Sequence, residues 1–257
     1  MPIMKIVFNE EFYDSSYASD SASVPGRMEA VMSEFSDTAK FQILPSPPAA
    51  EEDILRAHTQ RRYLEVKKDQ PLYKMAMLAA GAAVKAAELS YFSNEAVFAC
   101  LRPPGHHAGA DTGWGYCAFC NVSVALLKLK AAGLINNAVV VDFDAHTGDG
   151  TIDTLKSWPE AIVINPYADN NLDYIKLLEA RMREINNVDI IAVSAGFDAY
   201  KHDVGKKLET FDFYQIGRII KNASNRMGHQ KRFAALEGGY YLADLGKNAL
   251  AFCEGFM

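Results

Sequence analysis

The chain is expected to form a three-layer α/β/α fold around a mainly parallel central sheet, and three observations predict it. Short apolar runs at 5–8, 41–44, 96–100, 138–143, 161–165, 189–194 and 232–236 carry few charges, as strands covered on both faces do. Segments with apolar residues at helical spacing lie between them, at 26–35, 51–67, 71–90, 121–132, 171–185 and 211–227. Residues able to do chemistry follow directly after four of the strands. In a doubly wound sheet those carboxyl ends share the edge where ligands bind.

Along the chain, Asp53 and Asn171 are the expected helix N-caps, since a short side-chain oxygen there accepts from a free backbone N–H. The Ala-rich stretch 75–89 carries Lys85 and Glu88 and is too short and polar to span a bilayer, so Met75 and Met77 are read as helix core. No Pro-, Gly- or Ser-rich linker interrupts the 257 residues, which are read as one domain, 1–257. A net charge of -6 and the lack of a basic stripe argue against a nucleic-acid partner. Residues 1–11 lack the apolar core of a signal peptide, and four cysteines suit reduced thiols, so a cytoplasmic protein with no membrane partner is expected. Cys117 and Cys120 form a lone C-x-x-C, read as two half-buried thiols at a helix start.

The four strand ends carry distinctive residues. After 96–100 comes Leu-Arg-Pro-Pro-Gly-His-His-Ala-Gly, containing Arg102, His106 and His107; 141–150 read Val-Asp-Phe-Asp-Ala-His-Thr-Gly-Asp-Gly; Ser-Ala-Gly-Phe-Asp ends at Asp198; and Glu237 precedes Gly238, Gly239 and Tyr240. Asp144 and His146 are two apart, so on an extended strand end they point the same way. With Asp198 they offer two carboxylates and an imidazole and leave a coordination position open, as catalytic zinc requires; the oxygen-rich set also suits Fe2+, Co2+ or Mn2+. Adjacent His106 and His107 each need an orienting partner, for which Asp142 and Asp149 are placed, and Tyr240 offers an O–H to a developing oxyanion. These parts describe metal-assisted hydrolysis of an amide.

This ordered set resembles the arginase/deacetylase superfamily, in its histone deacetylase and acetylpolyamine amidohydrolase branch. R-P-P-G-H-H, G-Y-C, D-x-D-x-H-x-G-D-G, G-x-D and G-G-Y occur in that order between 102 and 240, and Val24-Pro25-Gly26-Arg27 resembles an early Pro-x-Arg segment. The resemblance implies that Asp144, His146 and Asp198 bind the metal and that His107 is the general base. It implies that His106 is its electrostatic or proton-shuttling partner, with Asp142 orienting His106 and Asp149 orienting His107. Tyr240 would polarise the acyl carbonyl. Gly115 and Tyr116 would line the substrate tunnel, Gly238 and Gly239 would help bind the substrate, and Arg27 and Arg102 would sit behind the site, Arg27 near the acetate exit. A structural K+ near the backbone of 142–146 is implied too. The substrate would be an acetylated amine such as an acetyl-lysine peptide or an acetylpolyamine. The chain departs from the pattern at Thr147, where a second His is usual, and at Cys120, where Asn is usual. Only about twenty residues separate Gly150 from Asn171, so a rim loop is missing and a more open or differently walled mouth is expected.

Other polar residues have plainer readings. His58, His202 and His229 are read as structural, Asp203 as a solvated loop residue, Tyr241 as packing and Glu237 as a buried hydrogen-bonding group; Trp114 is either pocket wall or core. Two other functions compete. Asp144-Ala-His146-Thr resembles a binuclear manganese ureohydrolase segment, but Asp198 is followed by Ala199 and Tyr200 rather than a second carboxylate. The other is a relative that binds acetylated amines without turnover, against which the complete His, Asp and Tyr set argues.

Overall fold

The computed structural model describes residues 3–36 and 39–257. Seven strands form one sheet: β1 Met4–Val7, β2 Phe41–Leu44, β3 Ala96–Ala99, β4 Ala138–Asp142, β5 Ala161–Ile164, β6 Ile191–Ala195 and β7 Arg232–Leu236. Their order is β2-β1-β3-β7-β6-β4-β5, and every neighbouring pair is parallel. The helices are α1 Arg27–Ser36, α2 Glu51–Ala57, α3 Gln60–Lys67, α4 Gln70–Ser93, α5 Asn121–Ala131, α6 Asp149–Leu155, α7 Asn171–Glu184, α8 Thr210–Arg226 and α9 Leu242–Phe256. Helix α9 packs on α1 and α8, and α8 on α7, while α2 to α6 pack among themselves, α4 and α5 lying against the central strands. This is the three-layer arrangement that the strand and helix patterns predict. No helix of the described residues is long and apolar enough to cross a membrane.

Burial follows position in the sheet. Every residue of β3, β4, β6 and β7 is buried, whereas the edge strands β2 and β5 keep exposed positions. The four fully buried strands are neighbours, so the loops after them emerge side by side at one edge.

Several local expectations are corrected. The single helix expected over 51–67 is two: His58 is extended, and Thr59 caps α3 by accepting the Arg62 N–H at 3.2 Å. Asp53 is not a cap. It lies in the first turn of α2, whose cap is Ala50, and its buried carboxylate pairs with Lys128 at 2.8 Å. Asn170 rather than Asn171 caps α7, accepting from Asp173 N at 2.9 Å. Helices α6 and α9 escape the pattern reading. Neither begins at a side-chain cap bond, α6 is only seven residues long, and α9 contains Gly246 and Gly255, which lower helix propensity.

Arg232 ties the sheet to the last helix. Its fully buried guanidinium donates to Phe256 O at 2.8 Å, the carboxyl end of α9, and to Ser224 Oγ at 3.0 Å near the end of α8. Helix ends carry unpaired carbonyls and partial negative charge, which suits a cation there. Replacing Arg232 with Met leaves those acceptors unpaired and should cost about 3 kcal/mol in urea unfolding.

Candidate active site

The four strand-end loops hold one another through carboxylates that accept backbone N–H groups. Glu237, after β7, takes Gly105 N at 2.6 Å and His106 N at 3.1 Å from the loop after β3. Asp144, after β4, takes Gly238 N at 3.0 Å, and Asp198, after β6, takes Ala145 N at 2.9 Å. Asp203 accepts Tyr240 N at 2.6 Å and Tyr241 N at 2.8 Å. It is therefore a buried anchor for Tyr240, which corrects its reading as a solvated loop residue. Its nearest sequence signal is Gly205 two residues later, too weak to identify it.

Asp144, His146 and Asp198 converge. One ligand atom from each lies within 4.8 Å of the others. His146 Nδ1 sits 3.0 Å from both Asp144 Oδ1 and Asp198 Oδ2. One N–H serves one carboxylate well, and Asp198 Oδ2 is a buried oxygen with no hydrogen-bond partner. The hydrogen bond to Asp144 and then the neighbouring Asp198 carboxylate raise His146 to about 10, while burial and the Asp144 charge raise Asp198 to about 6. A point where two buried carboxylates compete for one positive group suits a divalent cation, and this donor set fits one. Gly238 is required here, because a Cβ on it would lie 2.6 Å from Asp144 Oδ2.

The histidine pair flanks this cluster. His106 Nδ1 is 3.1 Å from Asp142 Oδ2, and its Nε2 is 3.7 Å from Asp144 Oδ2. Burial opposes its charging, but Asp142 and Asp144 outweigh that and raise its pKa well above the ordinary histidine value. His107 Nδ1 is 2.6 Å from Asp149 Oδ1. Burial and then the neighbouring His106 lower its pKa, so His107 is the neutral member of the pair. Asp149 Oδ2 accepts the Trp114 indole N–H at 2.9 Å, and the Trp114 ring stacks on His107 with centroids 3.8 Å apart. Trp114 is thus pocket wall rather than core.

Ser21, His106, His107, Trp114, Gly115, Tyr116, His146, Val204, Gly238 and Tyr240 line a cavity of about 400 Å³, together with Pro104. No residue between Thr147 and Phe197 lines it. Gly115 and Tyr116 both have positive φ, 57° and 68°. A bulky residue there is strained. Buried Arg62 holds this turn by donating to Cys117 O at 3.0 Å and Ala118 O at 3.0 Å, a role that sequence reading missed. A Cβ on Gly115 would approach His107 Cδ2 to 2.5 Å.

Tyr240 stands beside the cavity with its pKa raised, first by burial, so its phenol stays protonated as a donor. Behind it, fully buried Arg27 donates to Gly239 O at 2.9 Å and Glu237 O at 2.5 Å. Arg102 reaches Val24 O at 3.3 Å. Arg27 Nη1, Arg102 Nε and Nη2 and Tyr17 OH are buried without hydrogen-bond partners. Gly239, expected among the substrate-binding residues, does not line the cavity, and its carbonyl accepts from Arg27. Cys117 and Cys120 are both buried free thiols rather than half-buried ones.

His58 is structural, its Nδ1 2.9 Å from Gly109 O and its Nε2 accepting Cys120 N at 2.9 Å. Burial lowers its pKa to about 4. The unfolded chain then binds more protons between pH 4 and 6.5, so stability falls as pH drops through that window. The loss should approach about 3 kcal/mol. His58→Gln, which retains a donor and an acceptor, should flatten the fall; acid-limb unfolding curves that remain parallel would contradict this.

Residues 21–174 and 168–256 match the family model of the histone deacetylase domain. A histone deacetylase-like amidohydrolase of Pseudomonas aeruginosa is 26% identical, covering 91% of this chain and 76% of that protein. A probable deacetylase of Methanothermobacter thermautotrophicus is 27% identical, covering 97% and 90%. Acetylpolyamine amidohydrolase 2 of Pseudomonas aeruginosa is 27% identical over 62% of this chain and 56% of that one. The crystal structure of the HDA15 HD domain superposes with a TM-score of 0.83 at 19% identity, over 100% of this chain and 90% of that one, a likeness of fold.

Proposed function

Since this chain belongs to the histone deacetylase domain family, we propose that it is a zinc-dependent amidohydrolase, one catalytic domain over 1–257, that removes an acetyl or similarly small acyl group from an amine. The observation that carries the reading is the Asp144, His146 and Asp198 cluster, whose His146 lines a cavity walled also by His107 and Tyr240. Those three residues would hold the ion, with Fe2+, Co2+ or Mn2+ as alternatives to zinc. When bound, it supplies Lewis acidity, polarising the acyl oxygen and lowering the pKa of water.

The chain's own residues do the rest. Neutral His107, its Nδ1 held by Asp149, takes the proton of the attacking water at Nε2. His106, kept protonated by Asp142 and Asp144, offsets negative charge as it develops. Tyr240 donates its O–H to the acyl oxygen as that oxygen becomes anionic. The departing amine is protonated from the histidine pair. Arg27 and Arg102, with unpaired buried donors, offer a route for the acetate. A structural K+ beside the backbone of 142–146 fits the buried, unpartnered hydroxyls of Tyr174 and Ser194, the latter opposite Asp142 in register. Acetyl-lysine peptides and acetylpolyamines are both proposed substrates, and a cytoplasmic location is proposed with them.

Tyr240→Phe should keep the metal and lose roughly 100-fold or more in acetate release, because only the transition-state donor is removed. His107→Ala should behave alike. Metal analysis beside acetate release from an acetyl-lysine peptide and from acetylated polyamines checks both; a Tyr240→Phe enzyme at wild-type rate would refute the assigned role.

A further inference from the structure

Resting on the hydrolase reading above, we infer that Trp114 is a positioning residue for the general base: its indole N–H holds Asp149 so that Asp149 can hold His107. The two carboxylate–histidine pairs differ in their surroundings. Asp142, which holds His106, is buried, whereas the Asp149 side chain is 54% exposed. A carboxylate in water changes rotamer freely and is screened, so alone it holds an imidazole weakly. Asp149 opens α6 with Gly148 as cap, which brings no side chain.

Trp114 supplies the missing constraint. With Nε1 at 2.9 Å from Oδ2 and His107 Nδ1 at 2.6 Å from Oδ1, each carboxylate oxygen has its own partner and the carboxylate plane is fixed. The same indole lies on the His107 ring at 3.8 Å and 30°. One side chain therefore touches both members of the pair. It is itself held: Cys117 N donates to Trp114 O at 3.0 Å, closing the strained Gly115–Tyr116 turn that Arg62 clamps from behind. The proton-accepting nitrogen is thus aligned through a chain that starts at α3 and runs through the turn, Trp114 and Asp149 to His107.

Trp114→Phe keeps an aromatic wall and removes only the donor. The expected loss is about fivefold in kcat with KM within about twofold, the scale of one charge-assisted hydrogen bond to a half-exposed acceptor. In an Asp149→Ala background the same substitution should cause no further loss, because the acceptor is gone. In ¹⁵N-labelled protein, the His107 Nδ1–H should exchange slowly in the wild type and faster in Trp114→Phe. An unchanged kcat, a loss confined to KM, or an equal loss in the Asp149→Ala background would reduce Trp114 to a pocket wall. A wild-type protein that releases no acetate would instead overturn the hydrolase reading, and the Nδ1–H exchange would still decide whether Trp114 holds the pair.

Discussion

The structure depends on placing several carboxylates in a dry edge of a sheet. Asp142, Asp144, Asp198 and Glu237 are all buried at the ends of β4, β6 and β7. Burying a charge is costly unless it is paired or hydrogen-bonded. Here the cost is met by exchange between loops: Glu237 takes two N–H groups from the loop after β3, Asp144 one from the loop after β7, and Asp198 one from the loop after β4. The loops are therefore not independent. Each of these three carboxylates fixes a neighbouring loop, which gives a site borne on loops the precision of a core. Burial raises Glu237 to about 7, while the charge of His106 and the two backbone N–H groups it accepts favour its ionised form.

The same arrangement separates the two adjacent histidines. His106 faces two buried carboxylates and holds its proton. His107 faces one half-exposed carboxylate and the positive charge of His106, and stays neutral. Two identical side chains, neighbours in sequence, are thereby shifted in opposite directions by their surroundings alone.

Much of this was legible in the sequence, for physical reasons. The buried strands carry no charge except at their ends, where Asp142 closes β4 and Arg232 opens β7, so β3, β4, β6 and β7 stand out, and the metal-type cluster could be read because Asp144 and His146 flank one residue at a strand end. What escaped reading depends on contacts distant in sequence. Asp203 looks like a loop acid until the backbone of Tyr240 arrives 37 residues later in the chain. Arg62 looks like a surface helix residue, yet reaches the turn at Cys117, 55 residues away. The helix expected over 51–67 is broken at His58 because its ring bonds Gly109 and Cys120, which periodicity cannot register. Asp53 and Asn171 were misassigned as caps by three residues and by one, and α9 was missed because its glycines hide a helix that tertiary packing makes.

The central claim is that the buried carboxylates are arranged around a single divalent cation. Metal analysis of freshly purified protein tests it most directly. The account predicts one divalent ion per chain, lost on Asp198→Ala and retained when residues outside the Asp144, His146 and Asp198 set are changed. Two manganese ions per chain would contradict it in favour of a binuclear centre, and a folded protein that takes up no divalent ion would contradict it outright.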